Sequence, residues 1–247
     1  MSQFHPVVLV HGAWHGAWCF AALQDALDRR GVASLAVDLP GHGASTATVG
    51  DLAADARHVA DVLDRLAVPA VLVGHSYGGA VVTQAAVWHP DVAHLVYLAA
   101  FALDDGESVM SLLRSLPAAP VALSGAIRPG PDGTTVLDPA SAAAALYGDV
   151  VGPAVEAAVA RLSPQSVASM TDAVQGAPRR HIDSTYVQCL RDEAVHPSHQ
   201  AVMAERCTGT ITLDCDHSPF LSATGDVAEL LVRLARGRAA STKEAAT

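Results

Sequence analysis

The stretch VLVGHSYGGAVV, residues 71–82, constrains this chain more than any other. Val71–Val73 is a short aliphatic run that reads as a fully buried strand, and Ala80–Ala86 reads as a helix. Between them stands Gly74-His75-Ser76-Tyr77-Gly78, a G-x-S-x-G motif at a strand-to-helix junction. A turn this sharp strains the backbone of its central residue, and flanking glycines relieve the crowding. The serine hydroxyl is then held over the sheet edge. The helix behind it aims free N–H groups and a positive dipole end at charge developing there. The stretch predicts an α/β fold and a nucleophile at Ser76.

Strands and helices alternate on either side. Val7–Val10, Ala33–Asp38, His94–Phe101 and residues 184–189 and 210–214 read as strands. Asp51–Leu66 has helical spacing, with Leu52, Ala56, Val59 and Leu63 on one face. This order implies a mostly parallel sheet with helices on both faces. The rhythm breaks after Phe101. Residues 104–181 carry scattered Pro and Gly, an Ala-rich stretch (Ala140–Leu146) and a helical pattern over Pro153–Leu162, with no convincing strand. They read as a helical cap inserted before the last two strands, over the strand ends where open α/β sheets bind ligands. The core is then 1–103 and 182–238, and residues 239–247 read as a frayed tail.

Composition narrows the function. With 247 residues, 51% of them hydrophobic, the chain suffices for one domain with an insertion or for two domains. A formal net charge of −10 argues against nucleic acid and anionic membranes as partners. The only lysine is Lys243, which excludes a Schiff base or a P-loop in the core. The chain enters a strand almost at once and has no bilayer-length apolar run. The four cysteines form no C-x-x-C pair, and Cys189 and Cys215 read as buried thiols. The expectation is a soluble, cytoplasmic protein.

A serine needs a base and an orienting carboxylate, which in this architecture follow it in the order Ser, Asp/Glu, His. His217 falls just past the last strand and is the candidate base. Asp192, three residues beyond its strand, is the favoured acid. Asp104 and Asp105 are rivals, and Asp214 and Asp216 stand too close to His217 to orient it. An oxyanion hole needs two N–H donors, each worth about 3 kcal/mol of barrier. The backbone of Tyr77 supplies one. Ala13, a small residue in the loop HGAWHGAW, supplies the other.

The segments VLVHGAWHGAWCF, GHSYGG, VYLAAFALDDGES, YVQCLRDEAVHP and DHSPFLS resemble the α/β-hydrolase superfamily. They are most similar to its branch of plant methylesterases, hydroxynitrile lyases and related bacterial esterases. The resemblance covers nearly the whole chain and is thin over 110–150. It implies the α/β-hydrolase fold, no cofactor, catalytic Ser76, Asp192 and His217, and oxyanion donors Ala13 and Tyr77. The lyases of this branch carry Thr where this chain has Gly12 and Lys where it has Ser218. Their absence argues against cyanohydrin cleavage and for ester hydrolysis.

Gly12, Trp14, His15, Phe101, Tyr147 and Ser218 are the candidate pocket residues, with Trp18 and Phe220 as further aromatics beside the site. Val109, Met110, Leu112, Leu113, Leu146 and Tyr147 are apolar enough to form a lid. With few charges in the insertion, the expected substrate is a small, neutral or apolar carboxylic ester. His11 with His15, and His196 with His199, are spaced suggestively but lack a carboxylate cluster, so no metal is expected. His75 reads as packing beneath the elbow. A small-molecule receptor, a C–C bond hydrolase or lyase, and a cofactor-free oxygenase using the same triad stay open as alternatives. The oligomeric state is not legible.

Overall fold

In a computed structural model, which describes residues 4–237, six parallel strands form the central sheet. They are β1 (Val7–Val10), β2 (Ser34–Val37), β3 (Ala70–His75), β4 (Val92–Leu98), β8 (Ser184–Cys189) and β9 (Gly209–Leu213). Their spatial order is β2-β1-β3-β4-β8-β9. The chain runs from β1 to β2 on one side, then returns to place β3 on the other side of β1. The loops leaving the C-terminal ends of β1 and β3 therefore diverge, which opens a crevice between them.

Alternation along the strands feeds two cores. Val8, Val10, Leu72, Leu95, Tyr97 and Tyr186 face the helices Leu52–Leu66 and Gly78–Trp88. Val7, Leu9, Val71, Val73, Val96 and Val187 face Ala21–Asp28 and Thr224–Ala235. Both faces are buried, so the central strands read as continuous apolar runs. The helix over Gly78–Trp88 is buried nearly all round. The helix over Leu52–Leu66 is amphipathic and capped by Asp51, whose carboxylate accepts from Ala54 N–H at 2.7 Å.

Between β4 and β8 the chain leaves the sheet. This segment holds five short α-helices and a 3₁₀-helix, among them Pro139–Leu146 and Pro153–Val159, where the Ala-rich stretch and the helical pattern fall. It also holds an antiparallel sheet that the sequence reading lacks: β5 (Ile127–Pro129), β6 (Thr134–Leu137) and β7 (Gln165–Ser166), in the order β5-β6-β7. The β5–β6 hairpin turns at Asp132 and Gly133, both at positive φ (50° and 72°). The strands are two to four residues long and β7 lies far along the chain, so periodicity alone misses them. We propose that this segment is the cap and that the boundaries 1–103, 104–181 and 182–238 delimit cap and core. The expected frayed tail at 239–247 lies outside the described residues. Among the described residues, no helix is long and apolar enough to cross a membrane. Cys189 and Cys215 are free and buried.

Candidate active site

The elbow after β3 places Ser76 at φ +51°, a strained backbone state for a side-chain-bearing residue. It is held there by three backbone bonds. Ser76 N–H donates to Leu98 C=O at 3.2 Å, and Ser76 C=O accepts from Gly79 N–H at 3.0 Å and Phe101 N–H at 3.1 Å. The helix behind starts so close to β1 that a Cβ on Gly78 would sit 2.5 Å from Val10 C=O and 2.7 Å from His11 C=O. Only glycine fits there.

His217 follows β9 and Asp192 follows β8, and the two meet. His217 Nδ1–H donates to Asp192 Oδ2 at 2.7 Å, with both groups buried. That bond fixes the tautomer and leaves Nε2 as the acceptor nitrogen. Asp192 is held by three further donors: Ala194 N–H at 2.7 Å, Val195 N–H at 2.8 Å and Gln200 Nε2 at 2.8 Å. Gln200 is itself fixed, accepting from Cys189 N–H at 2.9 Å and donating to Val195 C=O at 2.7 Å. No hydrogen bond joins Ser76 Oγ to His217, a contact that in hydrolytic sites often tightens only around substrate. The rival carboxylates are engaged elsewhere. Asp104 pairs with Arg179, and Asp105 accepts from Gly176 N–H at 2.7 Å. Asp214 pairs with Arg191, and Asp216 accepts from Ser218 N–H at 3.0 Å.

The loop after β1 is pinned by its own histidines. His11 Nδ1–H donates to Gly12 C=O at 2.8 Å while its Nε2 accepts from Leu39 N–H at 3.1 Å. His15 Nδ1–H donates to Ala13 C=O at 2.8 Å while its Nε2 accepts from Tyr147 OH at 2.8 Å. Each ring has one donor and one acceptor role, so both are neutral. Burial pushes the His11 pKa down to about 3 and that of His15 to about 4. Among the described residues, Ala13 N–H and Tyr77 N–H have no backbone partner. Gly12 lies against the elbow, where a Cβ would sit 2.8 Å from Ser76 Cβ and 2.9 Å from His75 Nδ1. His75 packs under the elbow as expected. Its ring lies 4.6 Å from that of His217, its Nε2–H donates to the His217 carbonyl at 2.9 Å, and burial drives its pKa well down.

Ser76 and Ala13 open onto a cavity of about 460 Å³. Trp14 and Phe101 line it, together with Met110, Leu113, Val121, Leu123, Ile127 and Met170. No Asp, Glu, Lys or Arg is among its described lining residues; His196 and His199 supply its polar rim. Four of the pocket candidates do not line it. Gly12 is under the elbow, His15 and Tyr147 bond to each other behind it, and Ser218 is buried in the turn after His217, its N–H donating to Asp216 Oδ1. Trp18 stacks on His15, and Phe220 packs against Phe20 and His75 in the core. Of the expected lid residues, Met110 and Leu113 reach the cavity, whereas Val109 and Leu112 join the main core and Leu146 and Tyr147 a separate cluster. Sequence reasoning missed Gln200 and the wall over 118–127. Neither carries a motif, and only the strong apolar content of the insertion hints at the wall. A larger cleft of about 720 Å³, at the N-terminal ends of the strands, holds none of the candidate catalytic groups. Among the described residues, no group of three or more His, Cys, Asp or Glu is placed to share a metal ion.

Comparison with known proteins agrees with this architecture. A family model described as "Alpha/beta hydrolase family" matches residues 7–230. A carbendazim hydrolyzing esterase of Nocardioides sp. (strain SG-4G) is 40% identical over 116 residues, 44% of this chain and 48% of that protein. A pyrethroid hydrolase of Sphingobium wenxiniae is 40% identical over 98 residues, 38% of this chain and 35% of that one. The matched stretches thus span less than two thirds of these curated relatives. The crystal structure of a pyrethroid hydrolase from Sphingobium faniae JZ-2 superposes with a TM-score of 0.80 at 26% identity, covering 94% of this chain and 97% of that one. With the family model spanning the sheet, the elbow and the segments that carry Asp192 and His217, the chain belongs to the alpha/beta hydrolase family.

Proposed function

We propose that the protein is a serine hydrolase that cleaves a small, neutral or apolar carboxylic ester through an acyl-enzyme intermediate. Ser76 Oγ attacks the ester carbonyl as His217 Nε2 takes its proton. Asp192 holds the imidazole in the correct tautomer and stabilises the imidazolium that forms. The N–H groups of Ala13 and Tyr77 stabilise the oxyanion. His217 returns the proton to the leaving alcohol, then activates a water that releases the acid and restores Ser76. The carrying observation is the Asp192–His217 pair, 2.7 Å apart and buried, on loops that leave the same sheet edge as the Ser76 elbow. The uncharged cavity wall supports a neutral substrate, because an anion buried there has no partner. A relative named as an esterase and another named as a hydrolase point the same way.

Ser76→Ala tests the proposal. It is expected to keep the fold by circular dichroism and lower turnover of a p-nitrophenyl ester by about 10⁵–10⁶-fold. Wild-type turnover in that variant overturns the reading.

A further inference from the structure

Gln165 lies on β7, away from the sheet that carries the candidate catalytic groups, yet it is buried and reaches the loop after β1. Its Oε1 accepts from Trp14 N–H at 3.2 Å and faces His42 Nε2 at 3.1 Å; its Nε2 donates to Ser169 Oγ at 2.8 Å. Ser169 Oγ already donates to Ser166 C=O at 2.8 Å, so towards Gln165 it accepts. Trp14 N–H can only donate. The amide orientation is therefore determined by Trp14 and Ser169, while His42, whose Nδ1 faces Pro40 C=O at 3.0 Å, flanks the same Oε1 through its Nε2.

The peptide that Gln165 grips is the one joining Ala13 to Trp14. Its carbonyl end accepts from His15 Nδ1–H and its N–H end donates to Gln165. A planar trans peptide held at both ends has no freedom left to rotate. The preceding peptide, which bears Ala13 N–H, is held at its carbonyl by His11. Trp14 itself stands at φ +63°, a backbone state that a bulky residue keeps only where its surroundings enforce it. Without the Gln165 acceptor, Trp14 N–H would be a buried donor without a partner, and the loop would turn to find one.

We propose that Gln165 is a positioning residue: by locking the Ala13–Trp14 peptide from outside the catalytic core, it aims Ala13 N–H at the substrate carbonyl oxygen. This rests on the reading of Ala13 as an oxyanion donor. The insertion then completes the catalytic geometry as well as walling the cavity.

The test is kcat and KM for a p-nitrophenyl ester in Gln165→Met, Gln165→Glu and Gln165→Asn, with Ser76→Ala alongside and folding checked by thermal melting. Methionine matches the shape and removes the acceptor. It is expected to lower kcat about 10–100-fold, the scale of an ångström of misplacement, with KM within about twofold. Glutamate keeps an acceptor opposite Trp14 N–H and is expected to hold kcat within about threefold. If the methionine variant does not fold, asparagine decides: one methylene shorter, it withdraws the acceptor and should lower kcat at least about fivefold. The inference is overturned if Met or Asn turns over at the wild-type rate, if Met and Glu lose kcat equally, or if KM alone rises. Wild-type turnover in Ser76→Ala would instead fail the hydrolase reading itself.

Discussion

On the floor of the crevice, the loops that carry Ser76, Ala13 and His217 are pinned by directional hydrogen bonds. His11 and His15 use both ring nitrogens, and Asp192 accepts four hydrogen bonds. The opposite wall is made differently. Met110, Leu113, Val121, Leu123, Ile127 and Met170 meet the cavity through apolar surface alone, on short helices and an irregular stretch with Pro117 and Pro120. Directional bonds tolerate little displacement, whereas methionines and leucines repack at small cost. The floor is therefore built to hold one geometry, as the proposed oxyanion chemistry requires. The wall is built to accept a shape. The division does not follow the boundary of the insertion, because Gln165 and Tyr147 belong to the insertion and bond to the floor.

The sharpest way to break this comparison is Asp192→Asn. An amide can present its NH₂ to His217 Nδ1, which moves the imidazole proton to Nε2 and removes the base. In a serine-protease triad that exchange costs about 10⁴-fold in kcat with the geometry intact, and a loss of that order is expected here, with a lowered melting temperature because Gln200 Nε2–H loses its acceptor at that position. A loss under tenfold in stopped-flow ester hydrolysis would mean that the floor is not where the chemistry is controlled.

A second test uses the buried carboxyl beneath the elbow. Tyr77 OH donates to Asp55 Oδ2 at 2.7 Å, while Asp55 Oδ1 has no partner among the described residues, and burial raises the Asp55 pKa from 3.8 to about 7. A raised folded-state value means that the stability Asp55 contributes is complete below about pH 4 and is lost as pH rises through about 7. His11 and His15, with lowered values, act in the opposite sense, costing stability as pH falls below 6.5 towards about 3 and 4. Asp55→Asn removes the first slope and leaves the second. Relative to wild type it should gain stability between pH 5 and pH 8, by up to about 3 kcal/mol, in urea melts. An equal difference at both pH values would show that Asp55 does not titrate in this window.

A smaller effect is expected from Gly12→Ala. The new methyl would press on Ser76 Cβ and His75 Nδ1, and His75 is tied to the His217 carbonyl. Neither neighbour is the free end of a flexible chain. Overpacking of this kind costs about 1–3 kcal/mol, and kcat should fall further than the melting temperature alone explains, because Ser76 is displaced. Full activity with an unchanged melt would show the floor to be looser than its bonding suggests.

The floor was also the more legible region, for a physical reason. A strand in the middle of a sheet must be an apolar run, as Val71–Val73 is, and a tight elbow must be glycine-rich, so both leave a local trace. The parallel order and the loops bearing Asp192 and His217 followed from counting strands. For the acid, the position after the strands favours Asp192 and leaves Asp104 and Asp105 as rivals; in the structure Asp192 meets His217, while Asp104 pairs with Arg179. Within the insertion, Pro131-Asp132-Gly133 ahead of Thr134–Leu137 is a hairpin signal in hindsight, but β7 joins from thirty residues on and has two residues. Gln165 and Gln200 carry no motif: a glutamine earns its role only from what surrounds it. His15, from the loop after the first strand, and Tyr147, from the apolar insertion, are expected in the pocket, whereas their mutual hydrogen bond turns both inward.

The wall yields the smallest expected effect, and the most informative about substrate. Leu113 lines the cavity and is half-buried, so Leu113→Ala enlarges the cavity without opening a hole in the core. The cost in stability should be about 1 kcal/mol or less. One or two methylenes of pocket wall are worth about tenfold in discrimination between substrates. Across p-nitrophenyl acetate, butyrate and octanoate, kcat/KM should shift towards the longer acyl chains by that order, while the reaction with acetate changes little. Because the wall touches only the ground-state shape of the substrate, the shift should fall mainly on KM. A uniform hundredfold loss on all three esters would mean that Leu113 helps to hold the floor, and the separation between a rigid floor and an adaptable wall would have to be redrawn.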